Sequence, residues 1–272
     1  MTSRERLLKA ASFQEPDRVP IELQVGAWAR PLPEVRRIVE FVDNEADNFL
    51  GIPLVDWGFF GLDSEYREKI IDDVPGEYRR LKRTHSTAAG DFYAITRHSY
   101  ENLDSADFQW ERRFIYDLDD MKRLASAPRE CRPVDPERFR AHDREHVGER
   151  GLPMTPVMHP LGTLVRNATM EEVYTWFLTA KGVVHEFLEN TTDQIVATLK
   201  QVGYTGMTPW FVTHAHEMLI PPWMGMDKFK EWVFPYDKRV NDQIHAIGGK
   251  RRSHCHGNCM AFLQTMYEMG ID

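Results

Sequence analysis

Six consecutive residues, His254-Cys255-His256-Gly257-Asn258-Cys259, place two imidazoles and two thiols together. These are the side chains that bind transition metals and move protons near neutral pH. On a strand, alternation puts His254 and His256 on one side and Cys255 on the other. Two imidazoles on one side of a strand tip are suited to a metal ion or an anionic substrate, and Cys255 reads as a small core residue. Cys259 falls near a helix N-terminus, where a thiolate is favoured. The flanking residues predict the elements that hold this run. Gly248-Gly249 ends a helical pattern, Lys250–Cys255 is short enough for a strand, and Met260–Tyr267 has apolar spacing suited to a helix. Upstream, His214 and His216 alternate on another strand tip and read as solvated loop residues, with His216 a candidate substrate contact. Glu217 beside them is a candidate catalytic carboxylate. His159, next to Pro160, reads as structural.

The same grammar recurs along the chain: helix, glycine, short apolar run, loop. Thr2 or Ser3 caps a first helix over Arg4–Ala11, and Arg18–Val25 alternates as a first strand. Pro33–Val42 is helical. Glu77–Arg97 forms a hairpin turning at Gly90-Asp91. Cys131–Glu149 is a charged surface helix, and Pro153–Pro160 a buried strand. The spacing then predicts a long helix over Met170–Leu199, broken near Asn190-Thr191-Thr192 and capped by Gly203. A strand over Tyr204–Val212 and a helix over Asp227–Ile247 follow. Strands alternating with helices of this length imply parallel βαβ units in one α/β domain over residues 1–272, either a (β/α) barrel or a doubly wound sheet. About six such units can be counted.

Composition narrows the function classes. Hydrophobic residues make up 42% and charged residues 28% of the 272, ordinary for a soluble globular protein. A net charge of −8 argues against nucleic-acid binding, which needs a dense basic surface. No apolar run approaches a membrane span. Three cysteines are too few for a disulfide scaffold and fit a reducing cytoplasm. Met1–Arg6 carries charge with no apolar stretch behind it, so no signal peptide is expected.

The motifs, taken in order, resemble the uroporphyrinogen decarboxylase superfamily, which includes the decarboxylase and corrinoid-linked methyltransferases. Thr2-Ser3-Arg4-Glu5-Arg6 followed by Pro16-Asp17-Arg18-Val19-Pro20 is similar to the family's opening, and Arg30-Pro31-Leu32-Pro33-Glu34-Val35-Arg36 to its Arg-x-Leu-Pro-Glu-x-Arg run. Glu217 with Pro221-Pro222, Phe229, Pro235-Tyr236, and His245 through Gly248 resemble a later strand end and helix. His254-Cys255-His256-Gly257-Asn258 resembles the His-x-Cys-Gly-Asn or His-x-His-Gly-Asn element.

The resemblance implies a (β/α)8 TIM barrel in which this chain lacks the last two βα units. It implies an enzyme acting on a small molecule, with pairing into a homodimer in several members. In the methyltransferase branch it implies zinc held by His254 and by His256, which replaces the usual Cys. Cys259 or Glu217 is a candidate further ligand, and a partner protein carries the corrinoid. There the chain would be a methyltransferase or O-demethylase component, with His254, His256 and Glu217 catalytic and Asn258 and His216 on the substrate. In the decarboxylase branch no metal or cofactor is needed. Arg30 matches one substrate arginine, while Gly26 stands where a second would be. A third expectation is a binding-only or inactive barrel fragment.

Overall fold

The computed structural model describes residues 1–26, 29–102, 108–207, 209–214 and 216–272. In chain order these form α1 (Ser3–Ala11), α2 (Arg36–Glu45), β1 (Asn48–Gly51), β2 (Glu65–Val74), β3 (Tyr78–Thr87), β4 (Gly90–Ser99) and β5 (Gln109–Arg112). Next come α3 (Leu118–Ala125), α4 (Pro136–His142), β6 (Gly151–Pro156), α5 (Pro160–Asn167), α6 (Met170–Thr179) and α7 (Lys181–Tyr204). The last are β7 (Trp210–Thr213), α8 (Met226–Trp232), α9 (Phe234–Ala246), β8 (Lys250–Ser253) and α10 (Leu263–Met269).

The chain folds as two compact units. The first comprises Met1–Leu54 and Asp135–Pro156; the second comprises residues 55–102, 108–134 and 157–272.

In the first unit β1 and β6 pair in parallel, Asn48 opposite Gly151. The expected first helix is present, with Thr2 and Glu5 forming a reciprocal capping box. The expected strand over Arg18–Val25 is absent. The Ile21 amide donates to the Asp47 carboxylate and the Leu23 amide to Asn48 Oδ1. Side chains thus take the amides that a ladder needs, and Pro20 has none to offer. Asp47 is fully buried and accepts from Arg6 and Arg18 (2.5 Å each). Burial alone would raise its pKa, but these donors together hold it below the usual carboxylate range.

In the second unit β7 and β8 pair in parallel, Trp210 opposite Lys250. The expected hairpin is real and larger than its sequence signal. β2, β3, β4 and β5 form one antiparallel sheet in that order, with β3 and β4 in unbroken register from Tyr78–Ser99 to Thr87–Gly90. The α/β class with parallel strands is therefore present, while these four strands are not the parallel strands of an eight-fold barrel.

The core of this unit is built on α7. It buries Val184, Phe187, Leu188, Ile195, Leu199 and Val202 at helical spacing. The expected break near Asn190 does not occur. Thr192 Oγ1 donates to Leu188 O and Asn190 Nδ2 to Ala125 O, so these polar side chains are satisfied inside a continuous helix. The break lies at Ala180, between α6 and α7. Nor does Gly203 stop the helix. A Cβ there would meet Ile247 Cγ2 at 2.6 Å, so glycine serves close packing, and β7 starts only at Trp210. The Asp227–Ile247 helix is two helices, with Pro235 in the first turn of the second. Phe177 and His185 both stack on Trp232 (centroids 4.4 and 4.3 Å), fixing α6, α7 and α8 together. No helix among the described residues is long and apolar enough to cross a membrane.

Candidate functional site

Among the described residues, two histidine clusters stand in the second unit, one exposed and one buried. The exposed cluster follows β8. The His254 amide donates to Thr213 O (2.9 Å), extending the β7–β8 pairing by one residue. His254 and His256 fall on the same side, as alternation requires, and their Nε2 atoms meet at 2.7 Å. At that distance one nitrogen carries a proton and the other accepts it, so the pair holds one shared proton between two exposed rings. His214 lies against His254 (ring centroids 5.1 Å). Its pKa is lowered, first by burial of its ring edge and then by the charges of His254, Arg166 and Arg252, with Glu217 opposing.

Glu217 is half-buried, and its Oε2 is buried without a hydrogen-bond partner among the described residues. Cys255 and Cys259 are half-buried and pack on the apolar core. Burial first, then the neighbouring Cys259 and Glu217, pushes the Cys255 thiol up to about 11, so it is a thiol and not a thiolate at neutral pH. Asn258 is exposed on the same turn.

Zinc fits this tip as far as two ligands. Two nitrogens on a tetrahedral zinc stand roughly 3.3 Å apart, so His254 and His256 need only separate slightly. Cys259 and Glu217 do not converge with them. Among the described residues, the group of three or more His, Cys, Asp or Glu whose ligand atoms all lie within 4.8 Å is a different one, His159, His216 and Asp237.

That buried cluster is drawn from four elements. His159 stands at the start of α5, before Pro160. His216 opens the short turn after β7. Asp237 sits in the first turn of α9, and Arg251 and Ser253 alternate on β8. His159 is 4% exposed, His216 1%, Asp237 1% and Arg251 0%. His159 Nδ1 lies 2.9 Å and His216 Nε2 3.6 Å from Asp237 Oδ2, close enough to attract but not aligned for hydrogen bonds. His216 Nδ1 does bond Ser253 Oγ, at 2.7 Å.

Burial, with the charge of His159, drives His216 down to about 4, so it is neutral at pH 7. Burial would raise Asp237, but the charge of His159 and the contacts from both histidines hold it well below the usual carboxylate range. Burial lowers Arg251 to about 10, with Asp237 opposing, and it stays cationic.

Of the residues singled out in the sequence, His254 and His256 come together as expected, with Glu217 and Asn258 in the same region. His216 is not a solvated loop residue; its ring is buried because it packs on His159 (centroids 4.2 Å). His159, read as structural, belongs to a cluster of chemically capable groups. Arg30 lies in the first unit, where it donates to both carboxylate oxygens of Asp43 (2.5 and 2.6 Å). Asp237 and Arg251 carried no sequence signal, because Phe234-Pro235-Tyr236-Asp237 reads as an ordinary helix start and Lys250-Arg251-Arg252 as a solvated basic run.

Residues 160–272 match the family model described as uroporphyrinogen decarboxylase (URO-D). A methyltransferase from Methanosarcina mazei is similar in structure, with a TM-score of 0.53 over 100% of this chain and 74% of that one, at 12% identity. At that identity the likeness is one of fold. No curated protein matches the chain in sequence.

Proposed function

We propose, from the premise that residues 160–272 belong to the uroporphyrinogen decarboxylase superfamily, that this chain is an enzyme of the methyltransferase or O-demethylase kind. It moves a methyl group between a small substrate and a corrinoid carried by a partner protein, on a fold related to the (β/α)8 barrel. The observation that carries the reading is the His254–His256 pair, whose Nε2 atoms converge at 2.7 Å on the C-terminal side of β8, where α/β folds gather their sites. The fold shared with a methyltransferase supports it.

In this reading His254 and His256 are the protein ligands of a zinc ion. Bound there, zinc would lower the pKa of a substrate thiol or hydroxyl. Glu217, with a buried oxygen that makes no hydrogen bond among the described residues, exchanges the proton of the substrate heteroatom as methyl leaves or arrives. Asn258 and the imidazole of His214 line the approach, and Cys255 stays in the wall as a neutral thiol.

Decarboxylation of an acidic porphyrinogen fits less well. Arg30, the arginine it requires, is already engaged by Asp43. The test is metal analysis of the purified protein alongside the His254→Ala/His256→Ala variant. Loss of one zinc per chain together with loss of methyl transfer supports the reading. Wild-type protein with neither zinc nor methyl transfer, but with metal-free turnover of uroporphyrinogen, overturns it.

A further inference from the structure

The buried cluster has an excess of polar atoms without partners. Both ring nitrogens of His159, Nε2 of His216, both oxygens of Asp237 and Oδ1 of Asn241 are buried and make no hydrogen bond among the described residues. Buried polar atoms are nearly always satisfied, because each orphan forfeits its hydration. The Arg251 guanidinium nitrogens are orphan donors. The other orphans of the cluster, apart from any proton the imidazoles carry, are acceptors, and one ligand atom from each of His159, His216 and Asp237 lies within 4.8 Å of the others.

Their supports are ordered in the way a metal site needs. His216 Nδ1 bonds Ser253 Oγ at 2.7 Å. With Nδ1–H donating there, the Nε2 lone pair is left aimed at Asp237. Asn241 is one helical turn beyond Asp237 on α9, and its Nδ2 donates to Met269 O (2.9 Å), which turns Oδ1 away from that bond. The His159 ring is seated against α5, where a Cβ on residue 162 would stand 2.4 Å from His159 Cδ2; the residue is Gly162.

We propose that His159, His216 and Asp237 form a buried divalent-cation site, separate from the strand tip, for a borderline transition ion of the zinc or cobalt(II) class. Two imidazoles and one carboxylate are donors for such an ion, whereas magnesium and calcium demand oxygen ligands. The observed separations of 2.9 and 3.6 Å from Asp237 Oδ2 bracket the roughly 3.3 Å between neighbouring ligands of a tetrahedral zinc. Asn241 Oδ1 is the nearest candidate in sequence for a further oxygen. Arg251 sets the limit on affinity. Its buried guanidinium, also without hydrogen bonds, feels the field of Asp237 and competes with a cation for that carboxylate.

The experiment is cobalt(II) loading of the full chain, read by visible d–d absorption and by metal per chain after dialysis. Zinc competition is read in the same way. The His254→Ala/His256→Ala variant removes the strand-tip ligands; Asp237→Asn and His159→Gln remove the buried ones, each checked for folding by circular dichroism. The expected result is a tetrahedral-type spectrum that persists in the strand-tip variant and is lost when a buried-site substitution that still folds is added to it. Arg251→Met, which keeps bulk and removes the competing charge, is expected to bind cobalt(II) more tightly. Absence of a dialysis-resistant ion in the strand-tip variant overturns the proposal, as does a spectrum unchanged in His159→Gln. Methyl transfer that persists in the strand-tip variant with the buried ion retained would count only against the strand-tip chemistry.

Discussion

The strand-tip pair and the buried cluster are made of the same side chain, yet the fold uses it in opposite ways. His254 and His256 are exposed and share a proton at 2.7 Å; water can exchange with them, and a substrate can reach them. His159 and His216 are almost wholly buried around a buried carboxylate. Exposure leaves an imidazole free to change partners at little cost. Burial makes every missing partner expensive and ties the group to the stability of the fold. The first cluster therefore suits turnover, and the second a permanently held ion.

Substitutions should separate the two regions by the size and kind of their effects. The largest loss of stability is expected for Asp237→Ala, which leaves Arg251 and two imidazoles buried without their anion. Urea denaturation should show a loss of about 3–5 kcal/mol. Gly162→Ala pushes a methyl against the His159 ring and should cost about 1–3 kcal/mol in the same measurement. Ser253→Ala removes the bond that orients His216; cobalt(II) affinity should fall about 10- to 100-fold while the strand-tip chemistry persists. The double substitution His254→Ala/His256→Ala should leave stability within about 0.5 kcal/mol. A larger loss would mean that the tip is structural and would erase the contrast. The smallest effect concerns the thiols. Exposed Cys131 should react with iodoacetamide first at pH 8, and Cys255, pushed up to about 11, should lag. A fast Cys255 would contradict its place in the wall as a neutral thiol.

What the sequence made readable follows the range of the signal. The capped first helix, the Gly90 hairpin, the strand before His254 and the shared side of His254 and His256 rest on neighbours a few residues apart, and the structure contains them. Arg18–Val25 alternates like a strand but is pinned by Asp47 and Asn48, more than twenty residues away. Asn190-Thr191-Thr192 looks like a break, yet Thr192 finds an acceptor in α7 itself and Asn190 one on α3. The buried cluster was illegible for the same reason. His159, His216, Asp237 and Arg251 are separated by up to ninety-two positions, and only the packing of α5, α9 and β8 makes them neighbours.

Methyl transfer itself is the most direct test of the proposed chemistry. Purified protein is mixed anaerobically with cob(I)alamin and methylated small thiols or ethers, and the corrinoid spectrum is followed. Methylation is expected with the wild-type protein, at a rate lower by about 100-fold or more in His254→Ala/His256→Ala. Equal rates in the two proteins, or turnover of uroporphyrinogen in place of methyl transfer, would contradict a strand-tip methyltransferase.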